Sequence, residues 1–405
     1  MTKWQTTSVG RIPVSWEYKK ISDTDLCIND GNYSSKYPRQ KELLSAGIPF
    51  ISSKDLQNGR ISYTNLRYIS LEQHRTLLKG HIKEQDVLIV VRGNGVGDVA
   101  LVDKRFENAN INAQLAFIRS GDQHFGLFLY YLLLNYKQRK ITETYVSGSA
   151  QPQITVRQLK SIFLAYPPLP EQRAIASVLS SLDAKINLLH RQNETLEALA
   201  QTLFRQWFNE EPEADWEAGV IPDEFDFTMG LSPPGVSYNE EAIGIPMYQG
   251  KTDFTFRFPK RRVYTTDPKR FAYKFDTLIS VRAPVGTQNM ALEKCCIGRG
   301  VAAFRYRRNR KYSSYTYNKL NSIMSEIMVF EDSGTVFGSI NKTDFETLEI
   351  IIPPKELIDK FENEVSPLDE KIYLNCKQIR TLEKLRDTLL PKLMNGELRV
   401  KGEDD

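Results

Sequence analysis

The sequence predicts an α+β fold in which two globular α/β domains are joined by two long helices that form an antiparallel coiled coil, with a pseudo-two-fold internal repeat. The main observation behind this prediction is that segments occur twice at one offset. Leu182–Ile186 (LDAKI) returns 186 residues later as Leu368–Ile372 (LDEKI), and Pro167-Pro168 returns as Pro353-Pro354. A constant offset of this kind is typical of two homologous halves.

The front of each half repeats as well, with looser spacing. Offsets between these matching segments vary from 190 to 209, so we expect insertions and deletions outside the helices. The matching segments are Gly10-Arg-Ile-Pro13-Val-Ser-Trp16 with Gly219-Val-Ile-Pro222-Asp-Glu-Phe225, Gly47-Ile-Pro49-Phe with Gly244-Ile-Pro246-Met, and Asp86-Val-Leu-Ile-Val-Val-Arg92 with Asp276-Thr-Leu-Ile-Ser-Val-Arg282.

Each pair of prolines precedes a long helix with one apolar seam. Neither proline nor glycine occurs between Pro170 and Pro212. The spacing of three and four residues along the seam is that of a coiled coil. The seam positions are Leu179, Leu182, Ile186, Leu189, Asn193, Leu196, Ala200, Leu203 and Trp207, and then Val365, Leu368, Ile372, Asn375, Ile379, Leu382, Arg386, Leu389 and Leu393. We expect the two helices to pack antiparallel, with Asn193 and Asn375 near the middle. The alternative is that each helix packs on its own globular domain.

These signals divide the chain into five segments. The expected segments are a first globular domain at 1–165, a first spacer helix at 166–210, a second globular domain at 211–352, a second spacer helix at 353–396 and a polar tail at 397–405.

Composition indicates a globular protein without a membrane segment. Apolar residues make up 41% and charged residues 26% of the chain, which is ordinary for such proteins. The longest apolar run, residues 125–136, is about half as long as a bilayer span, and the polar N-terminus lacks a signal-peptide core. The four cysteines have no Cys-x-x-Cys spacing. We therefore expect a cytoplasmic protein without a disulfide framework, a metal or a cofactor.

The net charge of +4 conceals a strong local asymmetry. Residues 251–312 contain sixteen lysines and arginines against four acidic residues, whereas residues 209–226 contain eight acidic residues and no base. Aromatic residues are interleaved with the bases. They are Phe254, Phe256, Phe258, Tyr264, Phe271, Tyr273, Phe275 and Tyr306. Such a stretch is either a solvated charged face or a surface that attracts a polyanion, and the aromatic interleaving favours a nucleic-acid surface.

The chain resembles the specificity subunit of type I restriction–modification systems over nearly its whole length. The residues that carry the resemblance are Pro167-Pro-Leu-Pro-Glu171-Gln172-Arg-Ala-Ile175, Leu182-Asp183-Ala-Lys-Ile186, Leu203-Phe204-Arg-Gln-Trp207-Phe208 and Leu390-Pro391-Lys-Leu393-Met-Asn395-Gly396-Glu-Leu398. The second copy departs from the pattern, because Pro353-Pro-Lys-Glu356-Leu lacks the Glu-Gln pair.

The resemblance implies a non-catalytic subunit that binds double-stranded DNA. It implies two target-recognition domains, each of which reads one half of a bipartite site, at the two ends of the helix pair. It also implies that two methyltransferase subunits and restriction (motor-nuclease) subunits dock on the chain, with no membrane involved. One alternative is a fused or orphan restriction–methylation enzyme component with its own catalysis. Another is a coiled-coil scaffold without a DNA role, which leaves the basic stretch unexplained.

The sequence lacks recognisable catalytic motifs, so we do not expect an enzyme. An adenine methyltransferase needs an Asn/Asp-Pro-Pro-Tyr/Phe loop around the flipped base, and the nearest match is Ser232-Pro-Pro-Gly235. The glycine-rich segment Arg92–Asp98 could be a cofactor-phosphate loop, but we expect a tight turn between strands because the second half, Arg282–Gly286, lacks the matching glycines. The histidines (His74, His81, His124 and His190) lack metal-ligand spacing, so we expect them at the surface or in the core.

Candidate DNA-binding residues are polar and basic side chains in turns. Arginine and lysine read guanine and asparagine and glutamine read adenine in the major groove, while hydroxyls and cations hold phosphates. Arg92 and Arg282 are the strongest candidates, because both follow the repeated Asp-x-Leu-Ile strand. The other candidates are Ser53, Lys54, Asn94, Asn112, Gln114, Ser149 and Gln151 in the first half, and Lys251, Arg261, Arg262, Arg299, Ser339, Asn341 and Lys342 in the second.

Overall fold

A computed structural model of the chain describes residues 3–31, 37–64, 66–122, 124–148, 152–210, 216–332 and 339–400. The chain forms two compact units. Unit 1 comprises Met1–Ile186 and the C-terminal segment that begins at Thr381, and unit 2 comprises Asn187–Arg380. Each of the two long helices therefore contributes one part to each unit. The residue limits of the five segments expected above stay predictions.

Unit 1 is a mixed structure of short strands and helices. Its elements are β1 (Trp4–Thr7), β2 (Gly10–Pro13), β3 (Glu17–Lys20), β4 (Cys27–Asp30), β5 (Ile48–Ile51), β6 (Leu56–Gln57), β7 (Arg60–Ile61), β8 (Tyr68–Ile69), α1 (Leu71–Thr76), β9 (Val87–Val90), β10 (Val99–Leu101), β11 (Asn110–Ile111), β12 (Leu115–Arg119), α2 (Gly126–Gln138), α3 (Val156–Lys160), β13 (Phe163–Tyr166) and the first half of α4 (Leu169–Arg205). One sheet has the order β10-β9-β12-β4 and another has the order β11-β5-β8. Helix α2 and strands β9 and β12 enclose the main core.

Unit 2 repeats this plan. Its elements are β14 (Glu217–Val220), α5 (Ile221–Glu224), β15 (Phe225–Met229), β16 (Tyr238–Asn239), β17 (Ile245–Tyr248), β18 (Val263–Thr265), β19 (Phe271–Ala272), β20 (Thr277–Ser280), β21 (Gln288–Met290), β22 (Cys295–Ile297), β23 (Val301–Tyr306), α6 (Ser313–Ser322), α7 (Met324–Asp332), α8 (Lys342–Thr347), β24 (Glu349–Ile352) and the first part of α9 (Lys355–Met394). The sheet β15-β23-β20-β21 corresponds to β4-β12-β9-β10, and β17 pairs in parallel with β22 as β5 does with β11.

A buried aspartate, paired with a partly exposed arginine, supports the repeated Asp-x-Leu-Ile strand in both units. Asp86 accepts hydrogen bonds from Arg119 (Nε to Oδ1, 2.8 Å) and from the Lys83 N–H (2.8 Å). Asp276 accepts from Arg305 (2.6 Å) and from the Tyr273 N–H (2.7 Å). Burial nevertheless raises the pKa of Asp276 to about 6, against the lowering by these two donors. Each aspartate thus fixes the strand whose end carries a candidate arginine.

The structure corrects the match at the front of the halves. Strand β3 pairs with β13 and β14 pairs with β24, so that Glu17 lies opposite Tyr166 and Glu217 opposite Ile352. The equivalent residues are thus 200 apart, and the match of Gly10–Trp16 with Gly219–Phe225 at an offset of 209 is wrong. The Gly-x-Ile-Pro pattern misled because it lies in the β1–β2 hairpin of unit 1 but runs from β14 into α5 in unit 2. The dipeptides Trp16-Glu17 and Trp216-Glu217 were the better signal.

Helices α4 and α9 pack antiparallel, as predicted. In unit 1, Asp183 of α4 pairs with Arg386 near the end of α9 (2.9 Å). In unit 2, Asn375 Nδ2 donates to Asn193 Oδ1 (2.9 Å), and both side chains are buried. The predicted asparagine pair in the seam is therefore confirmed. The alternative, in which a long helix packs on its own globular domain, also holds for the first turns of α4. There, Leu179 and its neighbours join the globular core of unit 1.

The Glu-Gln pair at the start of α4 makes contacts inside unit 1. Gln172 Nε2 donates to the Pro167 carbonyl (2.9 Å), and Gln172 Oε1 accepts from the Phe125 N–H (3.1 Å). Glu171 forms an ion pair with Arg399 in the segment after α9 (2.5 Å). The pair therefore fastens the helix start to unit 1.

None of the helices that the structure describes has the length and apolar character needed to span a membrane.

Candidate nucleic-acid interface

Three turns of unit 2 form a cleft of about 600 Å³ lined by basic and polar side chains. The turns follow β17, β20 and β22, and they bring together Lys251, Arg282 and Arg299, which were predicted separately from the sequence. The residues that line the cleft are Ser232, Gln249, Gly250, Lys251, Thr252, Arg282, Ala283, Pro284, Arg299 and Gly300. No acidic residue is among these described lining residues, so the cleft carries a concentrated positive charge.

Close backbone contacts hold the turns together. The Gly298 N–H donates to the Tyr248 carbonyl (2.8 Å) and the Val281 N–H donates to the Gly300 carbonyl (2.9 Å). A Cβ atom at Gly300 would lie 2.1 Å from the Gln249 carbonyl oxygen, so only glycine permits this approach. Buried Asp253 fixes the turn after β17 by accepting from the Gln249 N–H (2.7 Å). The positions of the cleft residues are therefore set by backbone packing.

Ion pairs separate the cleft cations from other cations of the basic stretch. Arg261 pairs with Glu293 (2.6 Å) and Arg262 pairs with buried Asp253 (2.8 Å), so their charges are compensated inside unit 2. Lys251, Arg282 and Arg299 are exposed and form no ion pair with any residue that the structure describes. An anionic ligand would therefore meet these three charges uncompensated.

The aromatic residues of the basic stretch serve mainly as core. Phe258 is buried, Phe254 packs against a core cluster, and Tyr306 belongs to the main core of unit 2. Phe275 lies edge-on to Tyr373 of α9, with the ring centroids 5.6 Å apart. Tyr273 is the exposed exception. The interleaving that suggested base stacking is thus better explained by packing, whereas the excess of positive charge does reach the surface.

Unit 1 presents its candidate residues on the same scaffold. Arg92 forms a β-bridge with Gln153, as Arg282 does with Ser339. The backbone hydrogen bond beside each bridge is also the same in both units. The Ile154 N–H donates to the Val91 carbonyl (3.0 Å), and the Ile340 N–H donates to the Val281 carbonyl (3.0 Å). Arg92 lines a smaller cleft of about 350 Å³ together with Asp30, Gln153 and Arg157. Arg157 was not selected from the sequence, where one more arginine on a short helix gave no distinguishing signal.

A polar network occupies the turn after β11 in unit 1. Gln114 Oε1 accepts from Ser53 Oγ (3.0 Å) and from Asn112 Nδ2 (3.1 Å), and the Gln114 N–H donates to Asn112 Oδ1 (2.9 Å). Asn112 is buried, whereas Ser53 and Gln114 are partly exposed. Two turns that were predicted separately, one with Ser53 and the other with Asn112 and Gln114, are thus brought into direct contact.

The remaining candidates lie around these two clusters. Lys54 and Asn94 are exposed in turns of unit 1. In unit 2, Asn341 caps α8 by accepting from the Asp344 N–H (3.1 Å), and Lys342 pairs with Glu346 (2.6 Å). Ser149 and Gln151 lie outside the described residues. The role of each of these residues in binding stays a prediction.

The glycine-rich segment is a turn between strands. Val99–Leu101 pairs antiparallel with Val87–Ile89, so Arg92–Asp98 connects two strands of one sheet, as predicted, and leads into no helix. His74 contacts Asn110 in the core, and His124 bonds to Asp25 (2.7 Å). Within the described ranges, no group of histidine, cysteine or acidic residues could hold a metal ion.

Comparison with known proteins relates both units to one family. The sequence pattern described as "Type I restriction modification DNA specificity domain" matches residues 13–198 and 240–384. The chain is 30% identical to the putative type I restriction enzyme MjaX specificity subunit of Methanocaldococcus jannaschii, over 98% of this chain and 97% of that protein. It is 29% identical to the MjaIX specificity subunit of the same organism, over 99% and 97% of the two chains.

A solved structure agrees with the fold of this chain. The crystal structure of the S subunit of a type I restriction–modification system from M. genitalium has a TM-score of 0.64 with this chain. The sequence identity is 18%, and the match covers 97% of this chain and 98% of that one. This likeness shows the fold, with two mixed α/β units and two long helices.

Proposed function

Because the chain belongs to the family of type I restriction–modification DNA specificity subunits, we propose that the cleft of unit 2 and the polar turns of unit 1 are the surfaces that read its DNA target. A subunit of this family supplies sequence recognition, and other subunits of the complex carry out methylation and cleavage. The family does not support the alternative of an enzyme component with its own catalysis. Each unit reads one half of a bipartite site.

The uncompensated charge of the unit 2 cleft is the observation that carries this proposal. Lys251, Arg282 and Arg299 line one cleft on three different turns, and no acidic residue lines it among the described residues. Phosphate groups are the ligands that such a field attracts, and arginines on turns can also reach base edges. Arg261, Arg262 and Lys342 have carboxylate partners and are therefore weaker candidates, whose cations serve to hold the turns.

The partner subunits include methyltransferase and restriction subunits, and repeated leucines support two copies of the methyltransferase. Leu188 and Leu199 are exposed on α4, and their equivalents 186 residues later, Leu374 and Leu385, are exposed on α9. Because the exposed leucines of one helix recur on the other outside its seam, we infer two methyltransferase subunits per chain.

The internal role of Glu171 and Gln172 bears on this inference. Both side chains are buried and bonded within unit 1. The absence of the Glu-Gln pair from the second copy therefore does not distinguish the exposed leucines of the two helices.

Mapping of methylated adenines tests the proposed function. The chain is expressed with its methyltransferase subunit in a host that lacks adenine methylation, and the host genome is sequenced for modified bases. We expect one bipartite motif, which disappears when either subunit is omitted. Purified chain alone, incubated with labelled S-adenosylmethionine and DNA, should incorporate no label. Methylation by the chain alone, or a complex that methylates without sequence preference, would contradict the proposal.

A further inference from the structure

We propose that the turn after the strand in parallel pairing, Asn112–Gln114 in unit 1 and Gly298–Gly300 in unit 2, is a specificity-determining turn in which Arg299 reads guanine and Gln114 donates to an acceptor on a base edge. This inference rests on the proposed function. It goes beyond that function because it assigns base chemistry to one position in each half of the DNA site.

The backbone establishes that the two turns are equivalent. The Asn112 N–H donates to the Ile51 carbonyl (2.8 Å), as the Gly298 N–H donates to the Tyr248 carbonyl (2.8 Å). At the other end of the turn, Val91 bonds to the Gln114 carbonyl (2.8 Å) as Val281 does to the Gly300 carbonyl (2.9 Å). Because these bonds match, Ala113 and Arg299 occupy the same position in their units.

Equivalent turns with different side chains are what two half-sites of different sequence require. Unit 1 presents the Asn-Ala-Gln sequence with its polar network, and unit 2 presents Gly-Arg-Gly. The scaffold around both turns is common, since the strands, the buried aspartate–arginine pair and the β-bridge repeat. The turns therefore vary in chemistry where the framework does not.

Arg299 has the geometry of a direct reader. Its backbone is fixed between two glycines and by a hydrogen bond from its own N–H to Ser232 Oγ (3.2 Å). Its side chain is exposed, lines the cleft and has no ion-pair partner among the described residues. A guanidinium presents parallel donors that match the O6 and N7 acceptors of guanine. Lys251 and Arg282, on the flanking turns, are positioned to hold phosphates at the same time.

Gln114 is restricted to a donor role by its neighbours. A carbonyl oxygen has two lone pairs, and both on Gln114 Oε1 are directed to Ser53 Oγ and Asn112 Nδ2. Bidentate recognition of adenine needs the glutamine oxygen as well as its nitrogen. The side-chain NH₂ group therefore has to read an acceptor, which in the major groove is O6 or N7 of guanine, N7 of adenine or O4 of thymine.

Substitutions at these two positions test the inference in the complex with the methyltransferase subunits. Methylation rates are measured on a panel of duplexes that carry every single base-pair change in the mapped motif. Arg299→Ala gives unit 2 the residue found at Ala113, and we expect it to reduce discrimination at one guanine position by about 5- to 150-fold. Gln114→Glu keeps both bonds to the oxygen but replaces the donor with an acceptor. It should shift the preference at one position of the other half-site towards a base with an amino group.

Lys269→Ala is the matched control, since it removes an exposed cation of unit 2 that Asp267 already compensates. We expect its motif to be unchanged. Uniformly weaker methylation of all duplexes by Arg299→Ala would identify a phosphate contact and overturn the assignment, as would an unchanged motif in both test variants. If the unsubstituted complex methylates no defined motif, the proposed function itself fails, which is a separate outcome.

Discussion

The buried asparagine pair of the helix seam should behave as a coupled unit. Asn193 and Asn375 are 0% and 1% exposed, and Asn375 Nδ2 donates to Asn193 Oδ1 at 2.9 Å. Asn193 Nδ2 also lies 3.4 Å from Cys376 Sγ. Replacing either asparagine with leucine leaves the other amide buried without its partner, which costs about 1–3 kcal/mol. Replacing both with leucine removes every unsatisfied group, so the double variant should lie within about 1 kcal/mol of the original or be more stable.

Native-state hydrogen exchange measures this coupling without requiring the whole chain to unfold in one step. The opening free energies of amides in 187–205 and 355–380 are compared for the original chain, the two single variants and the double variant. We expect a coupling energy of at least about 1 kcal/mol that favours the double variant. Additive losses in the double variant would show that the two amides do not depend on each other, and would refute the seam pairing as described.

Three further predictions concern charge, pH and length. Lys251→Ala and Arg282→Ala should each weaken DNA binding and lower the slope of log affinity against log salt by about one ion. Lys269→Ala removes a cation that is already paired with Asp267, so it should change this slope little. Burial raises the pKa of Glu224 to about 7, so the folded state holds this proton more tightly than the unfolded state does. The stability of unit 2 should thus fall as pH rises from about 4.5 to 7. Glu224→Gln keeps an acceptor for Tyr315, and it should make the melting temperature depend less on pH in this range. Adding one heptad to each long helix lengthens it by about 10 Å and preserves the seam, so the mapped spacer should grow by about 3 base pairs; an unchanged spacer contradicts this.

The internal repeat and the antiparallel helix pair could be predicted from the sequence, because both depend on regular spacing. From β11 and β22 onwards, residues 186 apart occupy equivalent places in strands, helices and turns. The seven-residue period of the seam specifies which helix faces meet. Arg92 and Arg282 were correctly identified as equivalent, because the buried strand before each of them repeats the Asp-x-Leu-Ile pattern. The buried asparagine pair followed from the same period.

The composition of the cleft could not be predicted from spacing alone. Lys251, Arg282 and Arg299 come together through backbone bonds between turns that are distant in the sequence. Equally, no pattern indicated that Arg261 and Arg262 are neutralised by Glu293 and Asp253, since these contacts depend on how the strands are ordered. Aromatic residues in a basic stretch are compatible with a core as well as with base stacking, and burial distinguishes the two.

The independence of the two units as readers of DNA is the central claim, and a hybrid chain tests it most directly. Residues 227–350 are replaced with the corresponding segment of a relative that has a different target, and the methylated motif of the hybrid complex is sequenced. The segment contains the whole unit 2 cleft, whereas the polar network of unit 1 lies outside it. We predict that one half of the bipartite motif changes to that of the relative and that the other half is retained. A change in both halves, or in neither, would contradict the account.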